Sequence, residues 1–140
     1  MQYTEIKELI NGFGRNAVED IVANLGNDDF VVDGQYYRFI RENEAYNIAY
    51  EMLEGDVYIL GCFNADFIAD NTKLSYDIVK ALQEGEQFDA IGQHILDNDD
   101  LDGIVSEYIR LDGYGHVFGS YDGSYEEIEI DGVDYIYFRQ

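Results

Sequence analysis

The sequence predicts an α+β fold, and two kinds of pattern carry this prediction. Apolar residues recur at helical spacing in several segments, and in residues 101–109 they fall at i, i+3, i+4 and i+7. Asp-Gly pairs occur at 33–34, 122–123 and 131–132, between runs of β-forming residues, where this dipeptide is the strongest short signal for a hairpin. We therefore expect helices followed by and packed on antiparallel hairpins, with a three-stranded meander at the C-terminal end.

Two helices are expected before the first hairpin. The first spans residues 4–10. Asn16 and Glu19 have the spacing of a capping box and open the second, which ends at Gly26. The loop Asp33-Gly34 then predicts a hairpin within "FVVDGQYYRFI".

The middle of the chain predicts further helices. Residues 42–54 carry a single apolar stripe that Gly55 ends. Residues 57–63 are short and apolar, and they fit either a buried strand or a helical turn. Asn64 and Ser75 can each cap the helix that follows them.

The last Asp-Gly pair fixes the register of the C-terminal hairpin. With Asp131-Gly132 as a two-residue loop, Glu129 lies directly opposite Asp134. Separately, we expect His116 to open the first strand of the meander. One face of the hairpin then holds Ile128, Ile130, Val133, Tyr135 and Tyr137. Like charges that face each other across a ladder are destabilising. These acids either solvate an exposed face and guard its edge, or they form a negative face for a partner, and we favour the second interpretation.

Length and composition predict one cytoplasmic domain over residues 1–140. The chain is 46% hydrophobic, which is enough to build a core. No apolar run approaches the roughly 20 residues that span a bilayer, and the first ten residues lack the pattern of a signal peptide. Cys62 is the single cysteine, which excludes an internal disulfide, and we expect it to be a buried small hydrophobic residue.

Charge is the most unusual property of the sequence. Thirty acids against eight bases give a formal net charge of −22. Residues 84–134 contain fifteen acids and one base, Arg110, for a net −14. Such a field repels nucleic acids and membranes and attracts basic surfaces, of which DNA-binding proteins carry the largest.

The segment "DNDDLDG" at 97–103 resembles a calcium loop only in part. With Asn98 as the first position of an EF-hand loop, Ile109 takes the last position, where a bidentate Glu is needed. We therefore expect no metal, and we expect Asp99 or Asp100 to cap a helix that begins at Leu101.

The chain contains no motif of a known catalytic mechanism. GxSxG, HExxH, P-loop and GxGxxG patterns are all missing, and we assign His94 and His116 structural roles. We expect no enzymatic activity and no cofactor.

The C-terminal acids are the candidate partner-binding residues. Carboxylates at i and i+2 of a strand lie about 6.8 Å apart, and i, i+4 neighbours on a helix lie about 5–6 Å apart at Cβ. Phosphates of a duplex recur about every 3.4 Å of axis per strand, so a folded acidic surface can approach the charge density of DNA. The predicted set is Asp97, Asp99, Asp100, Asp102, Glu107, Asp112, Glu126, Glu127, Glu129, Asp131 and Asp134.

The segment "EYIRLDGYGHVFGSYDGSYEEIEIDGVDYIYF" resembles the C-terminal end of ArdA-type antirestriction proteins, where a Tyr-rich acidic helix leads through an Ala/Gly-Tyr/Phe-Gly element into terminal strands. The matching residues are Tyr108, Ile109, Gly113, Tyr114 and Gly115. The resemblance implies a DNA mimic encoded by a phage or plasmid, which occupies the DNA groove of a host defence enzyme with acids in place of phosphates.

We therefore expect an acidic DNA-mimic inhibitor of a basic host defence protein, such as a restriction-modification or CRISPR nuclease. It would act in the host cytoplasm, alone or as a homodimer, without binding nucleic acid or membrane itself. The alternative is an acidic interaction or adaptor module that binds a basic protein without DNA mimicry. A calcium- or substrate-binding protein is the third candidate.

Overall fold

The computed structural model describes residues 30–32, 34–130 and 132–140. The helices expected over 4–10 and from Asn16 to Gly26 lie outside these residues. The described part of the chain combines six helices with an antiparallel sheet, so the predicted α+β class is confirmed.

The elements follow one another with short connections. The strands are β1 (Phe30–Val32), β2 (Gln35–Arg41), β3 (Glu126–Ile130) and β4 (Val133–Arg139). The helices are α1 (Glu42–Glu54), α2 (Val57–Gly61), α3 (Ala65–Asn71), α4 (Tyr76–Glu84), α5 (Phe88–Asp97) and α6 (Leu101–Val117).

The sheet joins the two hairpins in the order β1-β2-β4-β3, with all neighbours antiparallel. Val32 pairs with Gln35 across the first predicted Asp-Gly loop, and Gly34 adopts the positive φ of 78° that this loop needs. Ile40 of β2 pairs with Ile136 of β4. Both two-residue hairpins therefore form, and the β2–β4 ladder connects them.

The predicted C-terminal meander lacks its first strand. Residues 116–117 are the end of α6, so His116 lies in a helix and does not open a strand. The Asp122-Gly123 pair forms a turn between α6 and β3, in which Asp122 Oδ1 accepts a hydrogen bond from the Ser124 N–H (3.0 Å). Among the described residues β3 therefore has β4 as its only strand neighbour, and the other side of β4 pairs with β2 of the earlier hairpin. That hairpin precedes α1, as its Asp-Gly loop predicts.

The described chain forms two compact units. We call Asn47–Leu111 the helical unit, and we call the described residues up to Tyr46 together with Asp112–Gln140 the sheet unit. The chain passes from one to the other within α1 and α6. The expectation of a single domain over 1–140 stays a prediction.

Side-chain caps begin three helices of the helical unit. Asn64 Oδ1 accepts a hydrogen bond from the Asp66 N–H (3.2 Å), and Ser75 Oγ accepts one from the Ile78 N–H (3.3 Å), which confirms both predicted caps. Asp56 caps α2 in the same way, through the Ile59 N–H (3.1 Å). The ambiguous segment 57–63 is therefore helical over its first five residues.

Backbone contact between α2 and α5 is the tightest packing in the helical unit. A Cβ added at Gly61 would lie 1.9 Å from the carbonyl oxygen of Phe88, and one added at Gly92 would lie 1.9 Å from that of Val57. Only glycine permits so close an approach at either position. The buried apolar residues of this unit are Ala49, Leu53, Leu60, Ala65, Ile68, Val79, Ile91, Ile95, Leu101, Ile104 and Val105.

Cys62 is exposed, so its predicted burial is wrong. Gly61, one residue earlier, is the position that faces α5. Cys62 follows the last residue of α2 as its C-cap. Its backbone N–H closes the last turn of α2 by donating to the Ile59 carbonyl (3.0 Å).

The end of α6 contacts the segment that enters β3, within the sheet unit. Gly113 leaves helical geometry with φ 78° and ψ 162°, and a Cβ at Gly115 would lie 2.4 Å from the Gly123 carbonyl oxygen. The Tyr114 ring meets Tyr125 edge-on at 6.0 Å. Burial raises the pKa of the Tyr114 hydroxyl, and its neighbour Tyr125 adds to this shift.

Candidate functional site

The predicted partner-binding residues fall into two groups. Asp97, Asp99, Asp100, Asp102 and Glu107 belong to the helical unit, and Asp112, Glu126, Glu127, Glu129 and Asp134 belong to the sheet unit. Asp131 lies outside the described residues. We call Glu126, Glu127, Glu129 and Asp134 the hairpin cluster, and Asp97, Asp99, Asp100 and Asp102 the helix-linker cluster. The two clusters belong to different units, and a single negative face that contains both stays a prediction.

The register of β3 and β4 brings three acids of the hairpin cluster, Glu127, Glu129 and Asp134, to one face, whereas Glu126 pairs with Tyr137 and lies on the other face. Ile130 pairs with Val133 across the two-residue loop, and Glu129 pairs with Asp134, so the predicted register is confirmed. The pair that flanks such a loop is hydrogen-bonded. Because hydrogen-bonded and non-hydrogen-bonded pairs alternate, Glu129 and Asp134 form a non-hydrogen-bonded pair, in which side chains lie closer together.

The acidic face of this hairpin is shorter than the sequence predicts. Glu127, Glu129 and Asp134 are exposed, but Ile136 and Phe138 share their face of β4 and are buried. The Phe138 ring stacks on Phe118 at 5.9 Å, which explains its burial. On the opposite face Ile128, Ile130 and Tyr135 are buried as expected. On this face the exposed acids are therefore Glu127 and Glu129 on β3 and Asp134 on β4, and they do not continue along β4.

The arginines of the sheet do not neutralise the hairpin cluster. The guanidinium of Arg38 lies over the Phe118 ring at 5.6 Å, and that of Arg139 lies over Tyr121 at 4.2 Å. In the described part of the chain no base forms an ion pair with the four acids of the cluster. Their mutual repulsion is thus left uncompensated within the described sheet unit.

An open cleft adjoins the turn end of the hairpin. Its volume is 490 Å³, and Glu42, Asn43, Gly132, Val133 and Asp134 line it. Among the described residues, two carboxylates and an amide line this cleft, and none of the lining side chains is basic. Its chemistry suits a lysine or arginine side chain from another molecule.

The helix-linker cluster surrounds the short connection from α5 to α6. Helix α5 ends at Asp97 and α6 begins at Leu101. Residues 101–109 are therefore helical, which excludes a twelve-residue EF-hand loop that starts at Asn98. Asp97 also lies at the C-terminal end of α5, where a carboxylate opposes the helix dipole. Its Oδ1 accepts a hydrogen bond from Gln93 Nε2 (2.8 Å).

Asp99, Asp100 and Glu107 differ from what the sequence predicts for them, which is a helix cap at one of the first two and an acid available to a partner at the third. Asp100 directly precedes α6, but its Oδ2 is buried and has no hydrogen-bond partner among the described residues, so the side-chain cap expected there is not formed. Asp99 adopts a positive φ of 57° and precedes the cap position. Glu107 is paired with Arg110, whose Nε donates to it (3.0 Å), and this hydrogen bond lowers the pKa of the carboxyl. Both Glu107 and Arg110 are thus locally neutralised.

Asp112 is exposed one residue before the break in α6 at Gly113. It belongs to the sheet unit but lies in the helix and not in the hairpin. The structure therefore does not place it in either acidic cluster.

The structure also contains a groove in the helical unit that the sequence did not predict. It has a volume of 430 Å³, and its lining includes Cys62, Phe63, Tyr76, Lys80 and Phe88. Tyr58 lies beside it, since its ring meets Phe88 edge-on at 5.4 Å. The only sequence signal for this groove is the apolar segment 57–63, and hydrophobic periodicity does not decide whether that segment is a strand or a helix.

Relief of the cross-strand repulsion is expected to leave the fold intact. The double change Glu129→Gln with Asp134→Asn removes two like charges from a close pair and should raise the free energy of unfolding by a few tenths of a kcal/mol. Urea denaturation measures this. Glu126→Gln is the matched control, because Glu126 faces Tyr137 and not an acid. A loss of stability in the double variant alone would show that these carboxylates make stabilising contacts.

The comparisons with known proteins identify no relative. No family model matches this chain, and no curated protein or solved structure matches it significantly. The resemblance to ArdA-type proteins therefore stays a prediction. Of the helices in the described ranges, none is both long and apolar enough to cross a bilayer.

Proposed function

We propose that this protein is an acidic DNA mimic that inhibits a host DNA-binding defence protein by occupying its basic DNA-binding surface. One observation carries the proposal: Glu129 and Asp134 lie directly opposite each other in the C-terminal hairpin, with no base paired to either among the described residues. A sheet selected for stability alone would place Lys or Thr at one of these positions. The presence of both carboxylates points to a partner that supplies the missing positive charge.

The spacing of the exposed acids supports the same proposal. Glu127 and Glu129 stand two residues apart on β3, which separates them by about 6.8 Å along the strand. Asp134 lies across the ladder from Glu129, at about 4.5–5.5 Å between Cβ atoms. Charges at such intervals approach the density of duplex phosphates. A groove lined by Lys and Arg that binds DNA can therefore bind this edge by the same electrostatic attraction.

The helix-linker cluster provides a second, weaker argument. Asp97 ends α5 against the helix dipole, although a hydrogen bond from Gln93 offsets part of this cost. Asp99 is exposed at a positive φ that aspartate tolerates. An acid that opposes the dipole at position 97 fits a surface selected for charge.

Competition with DNA tests the proposal. The full-length protein is added to purified restriction and CRISPR nucleases that hold a fluorescent duplex, and release of the duplex is measured at low and moderate salt. We expect stoichiometric displacement from at least one enzyme class, with an affinity that falls steeply as salt rises. Binding to such an enzyme without displacement of the duplex would instead favour the acidic adaptor module.

A further inference from the structure

Among the described residues, the outer edge of β3 has unused backbone hydrogen-bonding groups. β3 is the last strand in the order β1-β2-β4-β3, so only one of its sides is paired with a described strand. No backbone hydrogen bond within the described part of the chain joins another segment to that open side. An unpaired strand side of this kind is a template for one more strand.

The hairpin register determines which residues face this open side. Ile130, Ile128 and Glu126 stand in hydrogen-bonded pairs with β4, because the pairs alternate from the closing pair Ile130–Val133. The backbone N–H and C=O groups of Glu127 and Glu129 therefore point outward. These two residues also carry exposed carboxylates, so the same positions offer both backbone hydrogen bonds and negative charge.

From this coincidence we infer that the edge of β3 takes an extended basic segment of the partner as a fifth strand, with Lys or Arg at alternate positions. This inference rests on the proposed function and names its mode of contact. Residues opposite each other in an antiparallel pair lie on one face of the sheet, about 5.5 Å apart at Cα when hydrogen-bonded. Basic residues opposite Glu127 and Glu129 would thus contact both carboxylates.

Charge selects this occupant over a second copy of the chain. A second β3 added antiparallel at the same residues would place Glu127 and Glu129 opposite acids, and like charges repel across a ladder. Exposed edge charges exclude such self-pairing. A strand of alternating basic residues instead relieves the repulsion between Glu129 and Asp134 and pairs its backbone with the free edge.

Synthetic peptides test the inference on the full chain. One peptide alternates Lys and Thr, and its control has the same composition with the Lys residues in one block. Two further versions of the alternating peptide carry N-methyl groups on the Lys or on the Thr amides. We expect the alternating peptide to bind and to slow amide hydrogen exchange at Glu127 and Glu129. Methylation at Lys should weaken binding by about tenfold, because those amides face β3, and methylation at Thr should not.

Two protein variants provide an independent readout. Glu129→Pro removes an outward N–H without breaking the β3–β4 ladder, and proline is tolerated at such edge positions. Glu129→Gln is the control with the same loss of charge. We expect Glu129→Pro to bind the alternating peptide several-fold more weakly than Glu129→Gln. If the proline variant fails to fold, the methylated peptides decide the question.

The failures of the two proposals are distinguishable. Equal affinity for alternating and block peptides, without amide protection at β3, would overturn strand addition while leaving displacement of DNA unaffected. Failure of the protein to displace DNA from any nuclease, together with specific binding of the alternating peptide, would overturn the DNA-mimic proposal and retain the edge as a site for basic strands.

Discussion

Gly92→Ala is expected to destabilise the protein by about 3 kcal/mol, which is the upper part of the usual range for overpacking. The added methyl would lie 1.9 Å from the Val57 carbonyl oxygen and 2.8 Å from its Cγ1. Backbone on the opposing helix cannot move aside as the end of a flexible side chain can, so α2 and α5 would have to separate. Such a separation exposes Leu60, Ile91 and Ile95, which are fully buried. Urea denaturation followed by far-UV circular dichroism measures the loss.

Gly103→Ala is the matched control for this prediction. Gly103 lies inside α6, and a Cβ there meets nothing within 4 Å. Alanine should therefore stabilise the helix by about 0.5–1 kcal/mol relative to glycine. Gly61→Ala should behave like Gly92→Ala, because its methyl would meet the Phe88 carbonyl oxygen at the same crossing. If Gly92→Ala unfolded at the same urea concentration as the wild type, the close α2–α5 contact would be wrong.

Local signals predicted the helices and hairpins well. The caps at Asn64 and Ser75 and the loop before Gly34 depend on neighbouring residues only, so sequence spacing contains the required information. The partner of a strand is a property of the whole fold. The turn at 122–123 predicted a strand before β3, but residues 116–117 end α6, and the sheet is extended by β2 on the other side of β4.

The glycines also show the difference between local signals and properties of the whole fold. The neighbouring residues contain no signal for the roles of Gly61 and Gly92, because the backbone that approaches each of them comes from another helix. Gly113 and Gly115 are two of the residues that carry the resemblance to ArdA-type proteins. Gly113 adopts a positive φ, and Gly115 allows residues 123–124 to approach the helix backbone closely. Their presence is explained by packing in the sheet unit.

The hairpin cluster was predictable and the rest of the acidic surface less so. A two-residue loop fixes the register, so the sequence alone predicts that Glu129 pairs with Asp134 across the ladder. The pairing of Glu107 with Arg110 is an i, i+3 contact on a helix that the sequence also contains. A net charge alone does not show such local compensation. The buried oxygen of Asp100 depends on its surroundings in the fold and has no sequence signal.

Neutralisation of the hairpin cluster is expected to weaken binding to the nuclease that the protein inhibits, with little change in stability. The variant changes Glu126, Glu127 and Glu129 to Gln and Asp134 to Asn, all of which are exposed. Loss of electrostatic steering should slow association by about tenfold at low salt and make the salt dependence shallower. Surface plasmon resonance at several salt concentrations measures both effects, and thermal unfolding verifies the fold.

A control with equal charge separates a specific surface from net charge alone. Glu51, Glu54, Asp70 and Glu84 are exposed acids outside the predicted set, and their neutralisation removes the same number of charges. A third variant changes Asp97, Asp99 and Asp102 to Asn, and leaves out the half-buried Asp100 and the paired Glu107. If the hairpin cluster contacts the partner, its variant should slow association most, since steering falls with distance beyond the Debye length of about 8 Å at physiological salt. Equal losses in the two variants that each remove four charges would mean that total charge, and not the β3 edge, attracts the partner.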